Sequence, residues 1–92
     1  MKITMCYTGV LAAAAGAPEE VIDIAEDKTL ESLLHQVADT HGGAVTRHLF
    51  NEQGDIQTGL LVVVGDRQVD RAAPLNLVEG DRVTLLTPIS GG

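Results

Sequence analysis

The chain has 92 residues, 45% of them hydrophobic, and a formal net charge of −7, which bounds it to one soluble globular domain with a single core and little room for a deep internal pocket. Six Lys plus Arg and two aromatic residues, Tyr7 and Phe50, leave it without the basic, stacking surface of a nucleic-acid binder, and its charge suits a partner with a basic face. The one cysteine, Cys6, excludes an internal disulfide framework and a multi-cysteine metal site, and no segment reads as a signal peptide or a bilayer span, so a cytoplasmic protein with no membrane partner is expected.

"KITMCYT" (2–8) alternates, with Ile3, Met5 and Tyr7 against Lys2, Thr4 and Cys6, as a half-buried strand does. "GVLAAAAGAP" (9–18) reads as a loop or one helical turn. "EEVIDIA" (19–25) alternates again, with Ile22 and Ile24 pointing inward. The period then changes: Leu30, Leu33, Leu34, Val37, Ala38 and His41 form one stripe of an amphipathic helix over 29–43. Thr29 is its expected N-cap, Glu31 complements the dipole in the first turn, and Gly42 and Gly43 supply the stop.

Residues 44–59 are less regular, with a turn at "NEQGD". "LLVVVG" (60–65) is a short β-branched strand, which "GDRQ" turns into a brief strand around Val69. "APLNLVEGD" (73–81) is a loop closing in a turn, and "RVTLLTP" (82–88) is the last strand, with Val83 and Leu85 on one face and Thr84 and Leu86 on the other. One amphipathic helix must bury its stripe on the one sheet available. Placing the two terminal strands side by side at the sheet centre gives an α+β, β-grasp arrangement: a mixed sheet of four or five strands on one main helix, residues 1–92 forming a single domain with a flexible tail at 88–92.

Little in the chain reads as a catalytic centre. His35, His41 and His48 do not have metal-pair spacing, and His41 reads as a helix-end histidine. Cys6 lies mid-strand, without the basic neighbour or helix N-terminus that activates a thiol. The acidic clusters "AEDK" and "EGD" read as solvated turns. No metal and no bound cofactor are expected.

The sequence "LLTPISGG" is different. Pro88 limits further strand pairing, and Ile89, Ser90, Gly91 and Gly92 form a thin segment that another protein's backbone can approach closely. The reactive group there is the Gly92 α-carboxylate, which needs activation, by adenylation from ATP, before it can accept a sulfur or nitrogen nucleophile.

"APLNLVEGDRVTLLTPISGG" (73–92) resembles the end of the ubiquitin-like sulfur-carrier superfamily: Leu75, then Gly80 and Asp81, an alternating strand, Pro88 and a terminal glycine pair. "VVVGDRQV" (62–69) is similar to the family's strand–turn–strand, with Gly65 and Asp66 where Asn-Gly is usual. "LAAAAG" (11–16) resembles the loop after strand one in the molybdopterin synthase small subunit, and thiamine-pathway carriers are of the same type. The resemblance implies a protein cosubstrate rather than an enzyme. A ubiquitin-activating-type adenylating enzyme would adenylate Gly92 with ATP, and a sulfurtransferase would convert it to a thiocarboxylate. The tail of Pro88, Ile89, Ser90 and Gly91 would then thread into an acceptor enzyme such as the molybdopterin synthase large subunit.

Leu60, Val62 and Leu86, with Arg82 at the rim, are the expected docking patch. The unbroken apolar run leaves the opposite parity, Leu61 and Val63, open. Molybdopterin synthesis is the first reading of the pathway, and cysteine, natural-product or thiamine synthesis the alternatives. Two other readings are a ubiquitin-like modifier joined to lysines by isopeptide bonds and a binding module with an incidental tail.

Overall fold

The computed structural model describes residues 1–26, 29–70 and 76–87. The alternation in "KITMCY" builds β1 (Lys2–Tyr7), with Ile3, Met5 and Tyr7 buried. After it the alanine-rich segment is a full helix, α1 (Gly9–Ala15), where a loop or a single turn is expected from the sequence. Alanine is the strongest helix former, and the wholly buried Leu11 anchors the helix. A single anchor leaves no periodicity to read.

β2 (Glu19–Asp23) follows, with Ile22 and the next inward residue, Ile24, buried as expected. α2 (Leu30–His41) buries Leu30, Leu33, Leu34, Val37 and Ala38. Thr29 caps it by accepting from the Ser32 N–H at 3.3 Å, and Gly42, at φ +79, ends it in a conformation that side-chain-bearing residues rarely adopt.

A second helix, α3 (Gly43–Leu49), begins at once, in a stretch that reads as irregular in the sequence. Its Val45 and Leu49 lie one turn apart and are wholly buried. Two anchors in seven residues are too few for a periodic signal, and the preceding glycine pair reads as a stop rather than as a joint between helices. The expected "NEQGD" turn is present: the Asn51 Oδ1 accepts from the Gln53 and Asp55 N–H groups at 2.9 and 3.0 Å.

β3 (Leu61–Val64) and β4 (Arg67–Val69) form a hairpin, and β5 (Arg82–Leu86) completes a five-stranded sheet of order β2-β1-β5-β3-β4. Only β1 and β5 run parallel; β2 lies antiparallel to β1, and β3 antiparallel to both β4 and β5. This is the expected arrangement, with the two outermost strands of the sequence adjacent at the sheet centre. The inward residues of the strands join those of α1, α2 and α3 in one buried cluster, so the three helices cover one face and leave the other open.

The parity of β3 corrects the expected patch. The Gly65 N–H donates to the Arg82 carbonyl at 2.8 Å, and the resulting register sets Val62 beside Leu85 and Leu61 beside Leu86. Leu85 is wholly buried, so Val62 shares its side: Val62 is 0% and Leu60 2% exposed. Both belong to the core, and Leu61 and Val63 take the open face.

Candidate functional site

The open face is organised in rows across the sheet. Leu61 of β3, 45% exposed, stands opposite the half-buried Leu86 of β5. Along β5 the next outward residue, Thr84, lies between Val63 and Cys6, and Cys6 faces Glu19 of β2. An apolar end of the face, Leu61, Val63 and Leu86, therefore sits where β5 finishes. Leu86 and Thr87 lead directly toward the proline–glycine tail. Pro88, Ile89, Ser90, Gly91 and Gly92, singled out in the sequence, lie outside the described residues, as do Leu75 and Lys28.

The other end of the face is polar. The Arg82 guanidinium donates to the Glu19 Oε2 at 2.7 Å, and the Cys6 thiol lies 3.9 Å from the same oxygen. Arg82 thus stands on the open face, as expected, but carries an ion-pair partner from β2. Farther along, Lys2 Nζ bonds Asp23 at 3.2 Å. That bond and the Lys2 charge, with the nearby N-terminal ammonium, hold the Asp23 carboxyl below the usual carboxylate range. Both pairs are exposed and contribute little to stability; they give the rim a fixed charge pattern. Asp81 is occupied in the turn before β5, accepting from the Val78 N–H at 2.9 Å.

Sequence reasoning placed Leu86 correctly and had no means to choose Leu61 over Leu60. What decides it is the pairing of β3 with β5, which sets Val62 beside the wholly buried Leu85 and Leu61 beside the outward Leu86.

On the helix side, His41 proves to be more than a lone helix-end residue. Its Nε2 pairs with the Glu20 Oε2, which also accepts from the Tyr7 hydroxyl at 2.7 Å, and the two rings meet edge to face with centroids 6.1 Å apart. The group ties the C-terminal end of α2 to β1 and β2. Glu20 carried no signal in the sequence, because only the sheet register brings it beside Tyr7.

Burial and, secondarily, the Glu20 carboxylate push the Tyr7 phenol far above its ordinary range. The folded state thus holds this proton when the unfolded chain has lost it, and stability present below pH ~10 falls as the pH rises beyond it. Tyr7 is the one tyrosine and there is no tryptophan, so tyrosinate absorbance has a single source. It is expected to appear only together with loss of the folded circular-dichroism signal; a phenol that ionises first, in the intact fold, would contradict the part-buried Tyr7–Glu20 bond.

His35 stacks on Phe50, with centroids 4.3 Å apart. Among the described residues no three His, Cys, Asp or Glu side chains gather as a metal site would, and no helix is long and apolar enough to cross a membrane.

A family model, that of the ThiS family, matches residues 5–92, nearly the whole chain and all of the segment after β5. The chain belongs to the ThiS family. No curated protein matches it. Among solved structures, this ThiS-family chain is similar to SAMP1, the small archaeal modifier protein 1 of Haloferax volcanii, with a TM-score of 0.87, 22% identity and coverage of 100% of both chains. It is also similar to CysO of Mycobacterium tuberculosis, with a TM-score of 0.68, 20% identity, and coverage of 95% of this chain and 99% of that one. A Pyrococcus furiosus protein described as molybdopterin converting factor subunit 1 matches with a TM-score of 0.68, 21% identity, and coverage of 97% and 99%. At such identities the structural likeness establishes the fold, the ubiquitin-like β-grasp, and membership of the ThiS family makes the chain a ubiquitin-like sulfur carrier.

Proposed function

We infer that this ThiS-family chain is a protein cosubstrate whose Gly92 carboxylate carries sulfur. The observation that carries this reading is the family match, which runs through the glycine pair to residue 92, on a fold that aims β5 at that tail.

In the first step a carboxylate oxygen of Gly92 attacks the α-phosphorus of ATP, and the bond to pyrophosphate breaks. A mixed anhydride with AMP results. In the second step a hydrosulfide attacks the acyl carbon, the bond to AMP breaks, and the products are a thiocarboxylate, AMP and a proton. No redox change is needed with sulfide itself. A sulfurtransferase persulfide would give an acyl disulfide, which a thiol then reduces to the thiocarboxylate. The catalytic base and any metal for either step would belong to the adenylating enzyme and the sulfurtransferase.

Its own contribution is presentation. Leu61, Val63 and Leu86 form the apolar ground on which a partner rests, and Arg82 and Glu19 mark its rim. Residues 87–92, which follow β5, would span at most about 22 Å when fully extended, so the partner's nucleotide site must lie within that distance of the sheet end. The acceptor enzyme would receive the same tail. Molybdopterin synthesis is the first reading for that acceptor, supported by the likeness to the Pyrococcus furiosus protein, with cysteine synthesis as an alternative.

The second reading is protein modification, favoured by the TM-score of 0.87 to SAMP1. The activated carboxylate would then meet a lysine amine and form an isopeptide bond.

Intact-mass spectrometry separates the two. With ATP, sulfide and an adenylating enzyme, the chain is expected to gain the sulfur-for-oxygen mass difference, and the variant lacking Gly92 to gain nothing. Conjugates in a lysate that vanish with the same deletion, without any thiocarboxylate, would replace the carrier reading by the modifier one. Neither product with any adenylating enzyme would overturn both.

A further inference from the structure

Thr8 stands between β1 and α1, at the N-cap position of the helix, yet its side chain caps nothing there. A threonine in this place ordinarily accepts from a backbone N–H of the first turn. Here the hydroxyl is turned the other way: Oγ1 donates to the Leu85 carbonyl at 3.1 Å, 77 residues along the chain. Leu85 is the register partner of Tyr7, the last residue of β1. At Gly9 the backbone takes φ +53 and enters α1. The hydroxyl therefore secures β5 at the point where β1 leaves its side. Among the described residues it makes the one side-chain hydrogen bond onto the β5 backbone.

We propose that Thr8 is a positioning residue for the tail: its hydroxyl holds the β1 side of the strand end from which the chain departs, and so steers where the Gly92 carboxylate can reach. The proposal rests on the tail-activation reading above. A partner that activates Gly92 holds the open face and the carboxylate at the same time, and β5 carries both, through Leu86 on one side and the tail beyond Thr87. With the Thr8 bond in place, the end of β5 is held on both sides, by Thr8 and by the pairing of Leu86 with Leu61 of β3. Without it, the β3 pairing alone holds the strand end, the direction in which the chain departs is less fixed, and the carboxylate is presented at lower effective concentration. Docking is unaffected because Leu61, Val63 and Leu86 all stay in place; what suffers is alignment at the reacting phosphorus.

Thr8→Val keeps the β-branched shape and removes the donor; Thr8→Ser keeps the donor. The helix loses no cap in either case, since the native hydroxyl makes none. ATP–pyrophosphate exchange, with the chain as varied substrate and the adenylating enzyme that charges the wild type, should show kcat lowered about threefold to tenfold in Thr8→Val, as loss of one hydrogen bond implies. KM should stay near the wild-type value, and Thr8→Ser should restore kcat. Amide exchange at Leu86 and Thr87 should accelerate in Thr8→Val alone.

A purely structural role would lower the unfolding midpoint and leave the kinetic constants of the folded chain unchanged, and that outcome overturns the proposal. So does wild-type exchange at Leu86 and Thr87 in Thr8→Val. A wild-type chain that no adenylating enzyme charges would instead sink the activation reading itself, and the proposal with it.

Discussion

Leu61→Asp is expected to raise the KM for adenylation at least about tenfold while the domain stays folded, because a carboxylate pressed into a desolvated apolar contact has no partner there. Leu61 is 45% exposed, so the fold loses no core contact. The stability cost is that of an aspartate in a strand, about 1 kcal/mol. The effect belongs in KM, since under the proposed function the face holds the partner and does not touch the reacting atoms; this separates it from Thr8→Val, proposed to act on turnover. Val21→Asp is the matching control. Val21 is more exposed than Leu61, at 61%, but lies two strands from β5, and its substitution should leave KM close to wild type. Steady-state exchange assays on the two variants, alongside urea unfolding, decide the matter. A wild-type KM in folded Leu61→Asp would mean that the partner grips some other surface.

Leu85→Ala should cost about 2–5 kcal/mol of unfolding free energy, a large share of the ~5–15 kcal/mol that holds a domain of this kind together. Leu85 is 0% exposed in the middle strand of the sheet, paired with Val62 on one side and Tyr7 on the other. Leu86→Ala, one residue on and facing out, should cost less than about 1 kcal/mol. The two substitutions remove the same atoms, so the difference between them isolates the face. Equal costs by urea titration would mean that the sheet parity is wrong, and with it the assignment of Leu61 and Val63 to the docking surface.

The legibility of this sequence followed the strength of its periodic signals. β1, β2, α2 and β5 each carry enough alternation or stripe to fix both type and face, and Thr29 could be named as a cap because the residues after it were already periodic. With one clear helix and terminal strands of matching pattern, packing left few alternatives to β-grasp. α1 and α3 were not legible for a common reason: each is seven residues long and held by one or two buried side chains, Leu11 in the first and Val45 and Leu49 in the second. "LLVVV" failed differently. It identified a strand but, being apolar at every position, could not say which residues face the helices. Only pairing with β4 and β5 resolves that, and pairing is tertiary information. The tail was the reverse case, carrying its signal in composition and needing no neighbour to be noticed. The Thr8 bond to Leu85, with its 77-residue separation, has no local trace at all.

The central place of β5 bears on how the chain is made. β1 and β2 can pair early, but a two-stranded hairpin is marginally stable alone. β3 and β4 form a second hairpin with nothing between the two until residues 82–86 arrive. The sheet therefore closes late during synthesis, and folding depends on contacts far apart in sequence, which slows it. The open face comes into being at the same moment, since Leu86 is part of it and Leu61 is held in place by pairing with Leu86. Under the proposed function, a partner that recognises this face would thereby select molecules translated through β5, and pass over truncated ones before any ATP is spent on them.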